Sequence, residues 1–297
     1  MRNVLKWIGI LLGGLLVAAL IAVVAIYFIT ESRLNETYAV SVTAVEIPQQ
    51  PELGERKYPL VVVDLCRDCH RNDLAGQVMD DDPLTARLVA ANLTAGKGGI
   101  GGEYTPEDWV RAIRHGIGRD GKSLIVMPSS EMNILSDTDL GIVISLIKST
   151  PPIDNELPEI YIGPMGRIFL LQEPYILPAS VIDHNLQSVQ MPEPGVTVEY
   201  GEYLAHLCAL CHGKDFAGLD TPGGGLNLTP AGDLGGWTEA DFIETMRTGI
   251  APDGEELDQE MMPVGIWSKL SDDELKAIWM FLQTLPPVET PATTPAE

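Results

Sequence analysis

Cysteine constrains this chain more than any other residue type. It occurs four times, always within one of two pentads, Cys66-Arg67-Asp68-Cys69-His70 and Cys208-Ala209-Leu210-Cys211-His212. Two thiols three residues apart share a helical turn, and the next residue presents an imidazole beside them. This is the attachment pattern of c-type haem, in which each thiol adds to one vinyl group and the His ligates the iron. A thioredoxin-like redox pair shares Cys-x-x-Cys, but it requires a βαβ setting and gives the His no role. Structural zinc needs four ligands, whereas each pentad offers at most three, with Cys and His adjacent and badly placed to chelate together. The pentads therefore predict two covalently bound haem c groups, held by Cys66 and Cys69 with His70, and by Cys208 and Cys211 with His212.

The length of 297 residues suggests two domains, one per pentad. Ile8 to Ile29 is an unbroken apolar run, long enough to cross a bilayer as a helix. It contains no Ala-x-Ala, so it reads as a retained anchor and not as a cleaved signal. Arg2 and Lys6 precede the run, and the positive-inside bias then places everything after about Glu31 outside the cytoplasm. The expected location is the inner membrane, spanned once, with both haem sites on the periplasmic side. Cysteines on that side escape the reducing thiol pool.

Net charge is −23, unevenly spread: residues 52–155 carry 16 acidic and 11 basic side chains, residues 195–289 carry 17 and 4. Such a field argues against nucleic acid or anionic lipid as a partner. It suits either docking on a basic protein surface or plain solubility.

The same order of signals occurs twice. The stretch Cys66 to Gly76 answers to Cys208 to Gly218, and Asn92-Leu93-Thr94 to Asn227-Leu228-Thr229. Thr105 to Trp109 matches Thr238 to Phe242, and Gly116-Ile117 with Asp120-Gly121 matches Gly249-Ile250 with Asp253-Gly254. Met127-Pro128 and Met262-Pro263 follow, then a Leu-Ser-Asp helix start and a Pro-Pro stop. Thr105 and Thr238 are placed as N-caps of a middle helix, and Ser271 to Glu274 as a capping box before an apolar stripe. Tyr200, Tyr203, Leu204, Leu207, Cys208 and Cys211 share one helical face. Strand-like alternation is scarce, so the predicted class is all-α: a transmembrane helix followed by two tandem domains.

The expected boundaries are 1–30 for the cytoplasmic stub and anchor, 31–51 for a linker, 52–155 for the first domain and 195–289 for the second. Residues 156–194 are rich in proline yet contain Ile168-Phe169-Leu170-Leu171, so they read as a strap packed on the domains. Residues 290–297 read as a disordered tail.

The order of pentad, Asn-Leu-Thr, middle helix, Gly-Ile, Asp-Gly, Met-Pro, Leu-Ser-Asp and Pro-Pro resembles the class I cytochrome c domain. That domain is found in multihaem subunits of membrane-bound alcohol, gluconate and nicotinate dehydrogenases. The resemblance covers both halves and implies a membrane-anchored dihaem protein with His70 and Met127 as axial ligands of one iron and His212 and Met262 of the other. It is closer in the second half, where Trp267 follows Met262-Pro263; after Met127-Pro128 the aromatic is missing and a second Met, Met132, appears. A thioether is in any case a suitable soft sixth ligand for haem iron. Met79, Met132, Met261 and Met280 read as core filling, and His115, His184 and His206 as surface or satisfied residues. The Asn-Leu-Thr triplets also match a glycosylation pattern, but read here as loops shaping the haem site, with Trp237 and Tyr104 as propionate donors.

Irons filled by six ligands leave no position for a substrate and imply a carrier of single electrons, not an enzyme. The expected donors are a dehydrogenase or quinol-oxidising complex, and the expected acceptors an oxidase or soluble cytochrome. The rivals are a relay and anchor subunit of a dehydrogenase complex, and a dihaem peroxidase with one labile distal site.

Overall fold

The computed structural model describes residues 2–185, 189–219 and 224–290. The tail 291–297, expected to be disordered, lies outside the described residues, as does the side chain of Arg2. The protein is mostly helical. A long apolar helix, α1 (Arg2–Leu34), precedes α2 (Tyr58–His70), α3 (Pro106–His115), α4 (Ser129–Met132), α5 (Asp137–Lys148) and α6 (Pro164–Gln172). The second half contributes α7 (Val198–Ala205), α8 (Ala209–His212), α9 (Glu239–Thr248), α10 (Val264–Trp267) and α11 (Asp272–Leu282).

Local chemistry sets the helix ends. Thr105 and Asp108 close a capping box on α3, as do Thr238 and Asp241 on α9 and Ser271 and Glu274 on α11. Gly116 and Gly249 end the middle helices in the left-handed conformation, at φ 64° and 76°. Arg114 and Arg247 lie just before them and do the same work in each half. Arg114 donates to Leu135 O and pairs with Asp137; Arg247 donates to Leu270 O and pairs with Asp272. Each arginine thus ties a middle helix to the start of the last one.

A small sheet accompanies the helices. β1 (Gln77–Asp81) and β2 (Ala86–Ala90) form an antiparallel hairpin, and β3 (Tyr161–Ile162) adds to β2. The turn is set by Asp82, whose carboxylate accepts from Leu84 N and Thr85 N at 2.7 and 3.0 Å. β1 is largely exposed and irregular at Met79, so no alternating apolar pattern marks it.

A single apolar cluster runs through both halves, joining Tyr58, Val62, Trp109 and Ile144 to Tyr203, Leu204, Trp267 and Ile278. Within the second half α7 lies so close on α11 that a methyl group at Gly201 would stand 1.9 Å from Ala277 O. Between halves, buried polar contacts join the apolar ones. Tyr203 donates to Asp139 at 2.6 Å and accepts from Ser136 N at 3.0 Å, while Arg56 pairs with the other oxygen of Asp139. Lys57, at the start of α2, offers no capping side chain, and the deficit is met from far away in sequence. Glu274 Oε1 accepts from Lys57 N and Tyr58 N at 2.8 and 3.0 Å, while its Oε2 closes the box on α11. One carboxylate therefore caps two helices.

The segments flanking the first half also pack. Ser145 donates to Pro48 O, and Tyr38 N donates to Gly121 O at 2.8 Å. After α6, Leu177, Ala179 and Ile182 are buried, and Val126 N donates to Ile176 O at 2.9 Å. His184 Nε2 donates to Ala179 O, which leaves its Nδ1 to accept from Nδ1 of buried His115 at 3.2 Å. Burial, His184 and Arg114 push the His115 imidazole down to about 4 from 6.5. As pH falls the unfolded chain takes up this proton before the folded one, so stability is full above about pH 6.5 and is lost between about 6.5 and 4. The thermal midpoint should drop across that window, and His115→Leu should flatten this part of the slope. An unchanged slope would mean that His115 is not held neutral.

Candidate haem sites

Both pentads close a helix. Cys66 and Cys69 lie on α2, ending at His70; Cys208 ends the turn linking α7 to α8, and Cys211 and His212 close α8. All four thiols are free. Burial pushes the Cys66 and Cys208 thiols up to about 12 and raises Cys69 and Cys211 less. In each half, then, one thiol packs against the cluster and the other lies outside it. Among the described residues no three His, Cys, Asp or Glu side chains gather as a metal cluster.

The two imidazoles are held alike. His70 Nδ1 lies 2.7 Å from Ala91 O and His212 Nδ1 2.6 Å from Leu226 O, and both rings are more than nine-tenths buried or close to it. A carbonyl only accepts, so Nδ1 carries the proton and the Nε2 lone pair is left for a metal. Burial also lowers the pKa of both rings, which favours the neutral, ligating form.

The loops that carry those carbonyls are clamped by the Asn-Leu-Thr triplets. Asn92 Oδ1 accepts from Thr94 N and Oγ1 at 2.9 and 2.8 Å, and its Nδ2 donates to Ile153 O at 2.8 Å. Asn227 accepts from Thr229 N and Oγ1 at 2.8 and 2.7 Å, and donates to Val288 O at 2.8 Å. Each triplet pins the loop beside its His to the chain leaving the last helix of that half. Both amide nitrogens are buried and engaged, which excludes glycosylation of the folded protein. Leu74 and Phe216, the same position of the repeat, are buried and both adopt φ 59°. Such backbone strain costs of order 1–3 kcal/mol and persists only where surrounding contacts enforce it. Here Leu93 N and Leu228 N donate to their carbonyls at 2.8 Å.

The Met-Pro turns are alike as well. Met127 O accepts from Ser129 N and Met262 O from Val264 N, at 2.8 and 2.7 Å, and each turn opens a one-turn helix. Met127 and Met262 are both half-buried. Met132 ends α4 where Trp267 ends α10, and both are buried in the cluster. Met132 thus fills the aromatic's place. Cys66, Cys208 and Met262 pack against the cluster; Met127, Cys69 and Cys211 lie outside it. Of the expected propionate donors, Tyr104 packs edge-on against Trp109, with ring centroids 5.4 Å apart. The sequence reading missed Trp109 itself, whose buried Nε1 has no partner among the described residues. An orphaned buried N–H is costly unless an acceptor is supplied, and a haem carboxylate would supply one.

Free paired thiols, imidazoles with an open Nε2 and half-buried thioethers form a donor set that suits haem. Residues 200–282 match the family model described as cytochrome c oxidase, cbb3-type, subunit III. The second half holds a cytochrome c domain. Such a domain binds haem c covalently and transfers electrons.

Across most of its length the chain is similar to the cytochrome subunit of fructose dehydrogenase from Gluconobacter japonicus: 24% identity over 278 residues, 80% of this chain and 53% of that protein. It therefore spans about half of that relative. Shorter matches link it to the cytochrome c subunit of the quinone alcohol dehydrogenase of Gluconobacter oxydans, 34% identical over 98 residues, 28% of this chain and 20% of the other. The gluconate 2-dehydrogenase cytochrome c subunit of Pantoea cypripedii is also 34% identical over 98 residues, 28% of this chain and 22% of its own length.

Another residue now gains a role. A methyl group at Gly225 would lie 2.6 Å from His212 Nδ1, so the cytochrome c domain needs a bare backbone beside its imidazole. Gly225→Ala should destabilise the protein by about 1–3 kcal/mol, as overpacking does, and weaken the low-spin visible spectrum of the second haem. A variant with unchanged spectrum and thermal midpoint would show that the ring is not confined there.

Proposed function

We propose that the chain is a membrane-anchored carrier of single electrons with two haem c groups. The observation carrying this reading is the duplicated proximal geometry, a Cys-x-x-Cys turn ending in an imidazole whose Nδ1 is spent on a backbone carbonyl. Cys66, Cys69, His70 and Met127 would hold one haem, and Cys208, Cys211, His212 and Met262 the other. When bound, haem iron would supply reversible one-electron chemistry, and a thioether ligand would raise its potential. The chain's own residues fix both ligands, exclude water and, at Trp109, offer an N–H to a buried carboxylate. The burial of Met132 in the place of Trp267 favours Met127 as the first distal ligand.

The donor is a dehydrogenase or quinol-oxidising complex, and the acceptor an oxidase or soluble cytochrome, on the periplasmic side of the inner membrane. The relatives' names favour a narrower variant, a relay subunit within a dehydrogenase complex. Glu255, Glu256 and Asp258 are exposed on the loop whose Asp258 carbonyl accepts from Met262 N at 2.7 Å. That position suits steering of a basic partner toward the second site.

Met127→Ala and Met262→Ala should each convert one haem from low to high spin and lower its potential, while Met132→Leu leaves both spectra intact. Optical potentiometry of the full chain reads this directly, and a parallel assay should find negligible peroxide turnover. If Met127→Ala is silent and Met132→Leu is not, the first ligand is misassigned. Substantial peroxide turnover by the unmodified protein would instead move it to the peroxidase class.

A further inference from the structure

We infer that the outward face of α6 rests on the bilayer, at the boundary between headgroups and acyl chains, as a second membrane contact beside α1. This rests on reading α1 as a retained span. A hydrocarbon core about 30 Å thick is filled by about 20 helical residues. Counted from Ile8, where the apolar run begins, the span ends near Tyr27.

α6 is fixed to α1 at that level. Arg167 donates to Thr30 Oγ1 and pairs with Glu31, both at 2.8 Å, and its guanidinium lies 4.4 Å from the Tyr27 ring centroid. Arg33 donates to Leu170 O at 2.9 Å. Thr30 is wholly buried beneath this contact, whereas Tyr27, Phe28 and Ile29 stay open on the rest of the helix. The only charged side chain of α6 is thereby spent on α1.

Apart from Gln172 at its C-terminal end, what α6 turns outward is apolar. Met165 and Phe169, one helical turn apart, are each 44% exposed. Leu84, whose carbonyl accepts from Met165 N at 2.8 Å, is 62% exposed, and Tyr161 on β3 is 50% exposed. Methionine, leucine and aromatic side chains held within about a turn of the span's end are in the layer where such groups gain by leaving water. The strongly acidic chain disfavours anionic headgroups, so the contact is with the apolar boundary of a zwitterionic surface. Two points of attachment would also limit how the haem-bearing halves swing about α1.

The test uses the full holoprotein in phosphatidylcholine nanodiscs. Its native thiols are consumed as thioethers, so an introduced cysteine is the one site for a nitroxide label. Met165→Cys and Phe169→Cys report on α6, Leu16→Cys on the span, and Val196→Cys, at a solvent-facing site of the second half, on water. Power-saturation EPR compares collisions with oxygen, which enriches in lipid, and with a polar nickel chelate. Labels at Leu16, Met165 and Phe169 should favour oxygen, and the label at Val196 should favour nickel. If Leu16 favours oxygen while Met165 and Phe169 behave like Val196, the anchor stands and the α6 contact is wrong, leaving that face for a protein partner. If Leu16 favours nickel, the span itself is wrong and the inference falls with it.

Discussion

The hydrogen bonds from His70 to Ala91 O and from His212 to Leu226 O decide which nitrogen of each ring faces the haem site. Much of the surrounding structure holds those two carbonyls in place. The Asn-Leu-Thr clamps tie the carbonyl loops to the chain leaving the last helices, and Leu74 and Phe216 accept an unfavourable backbone to close the turn behind each pentad. At Gly225 the backbone comes so close that no side chain fits. A metal ligand is only as well oriented as the groups on its other nitrogen, and here those groups are backbone, fixed by packing.

The two halves are not beads on a string. Asp139 receives Arg56 from its own half and Tyr203 from the other, and Glu274 caps the helix that bears the first pentad. Because these groups are buried, removing either carboxylate would strand donors from both halves at once. Cys66 and Cys208 both abut this one continuous apolar cluster. The excess negative charge lies on the outside of the second half, free to act on partners without disturbing that core.

Features dictated by chemistry at fixed short spacing were legible in the sequence. The pentads, the threonine caps at 105 and 238, the box at Ser271 and the apolar stripe of α11 all depend on residues within a turn or two. What escaped depends on distance in sequence. Nothing near Lys57 announces that Glu274 will cap it, and nothing near Asn92 announces Ile153. The β1–β2 hairpin was missed because its first strand buries almost nothing and so has no pattern to read. Met132, read as core filling, is buried in the cluster at the end of α4, as Trp267 is at the end of α10.

Whether both halves hold haem through the same construction is read from the intact mass of the purified, membrane-extracted chain after denaturation and thiol alkylation. The expected mass is that of the chain beginning before Ile8 plus two haems, with no alkylated cysteine. A mass corresponding to one haem and two alkylated thiols would contradict it, and would leave the geometry of the other half a fold without its cofactor.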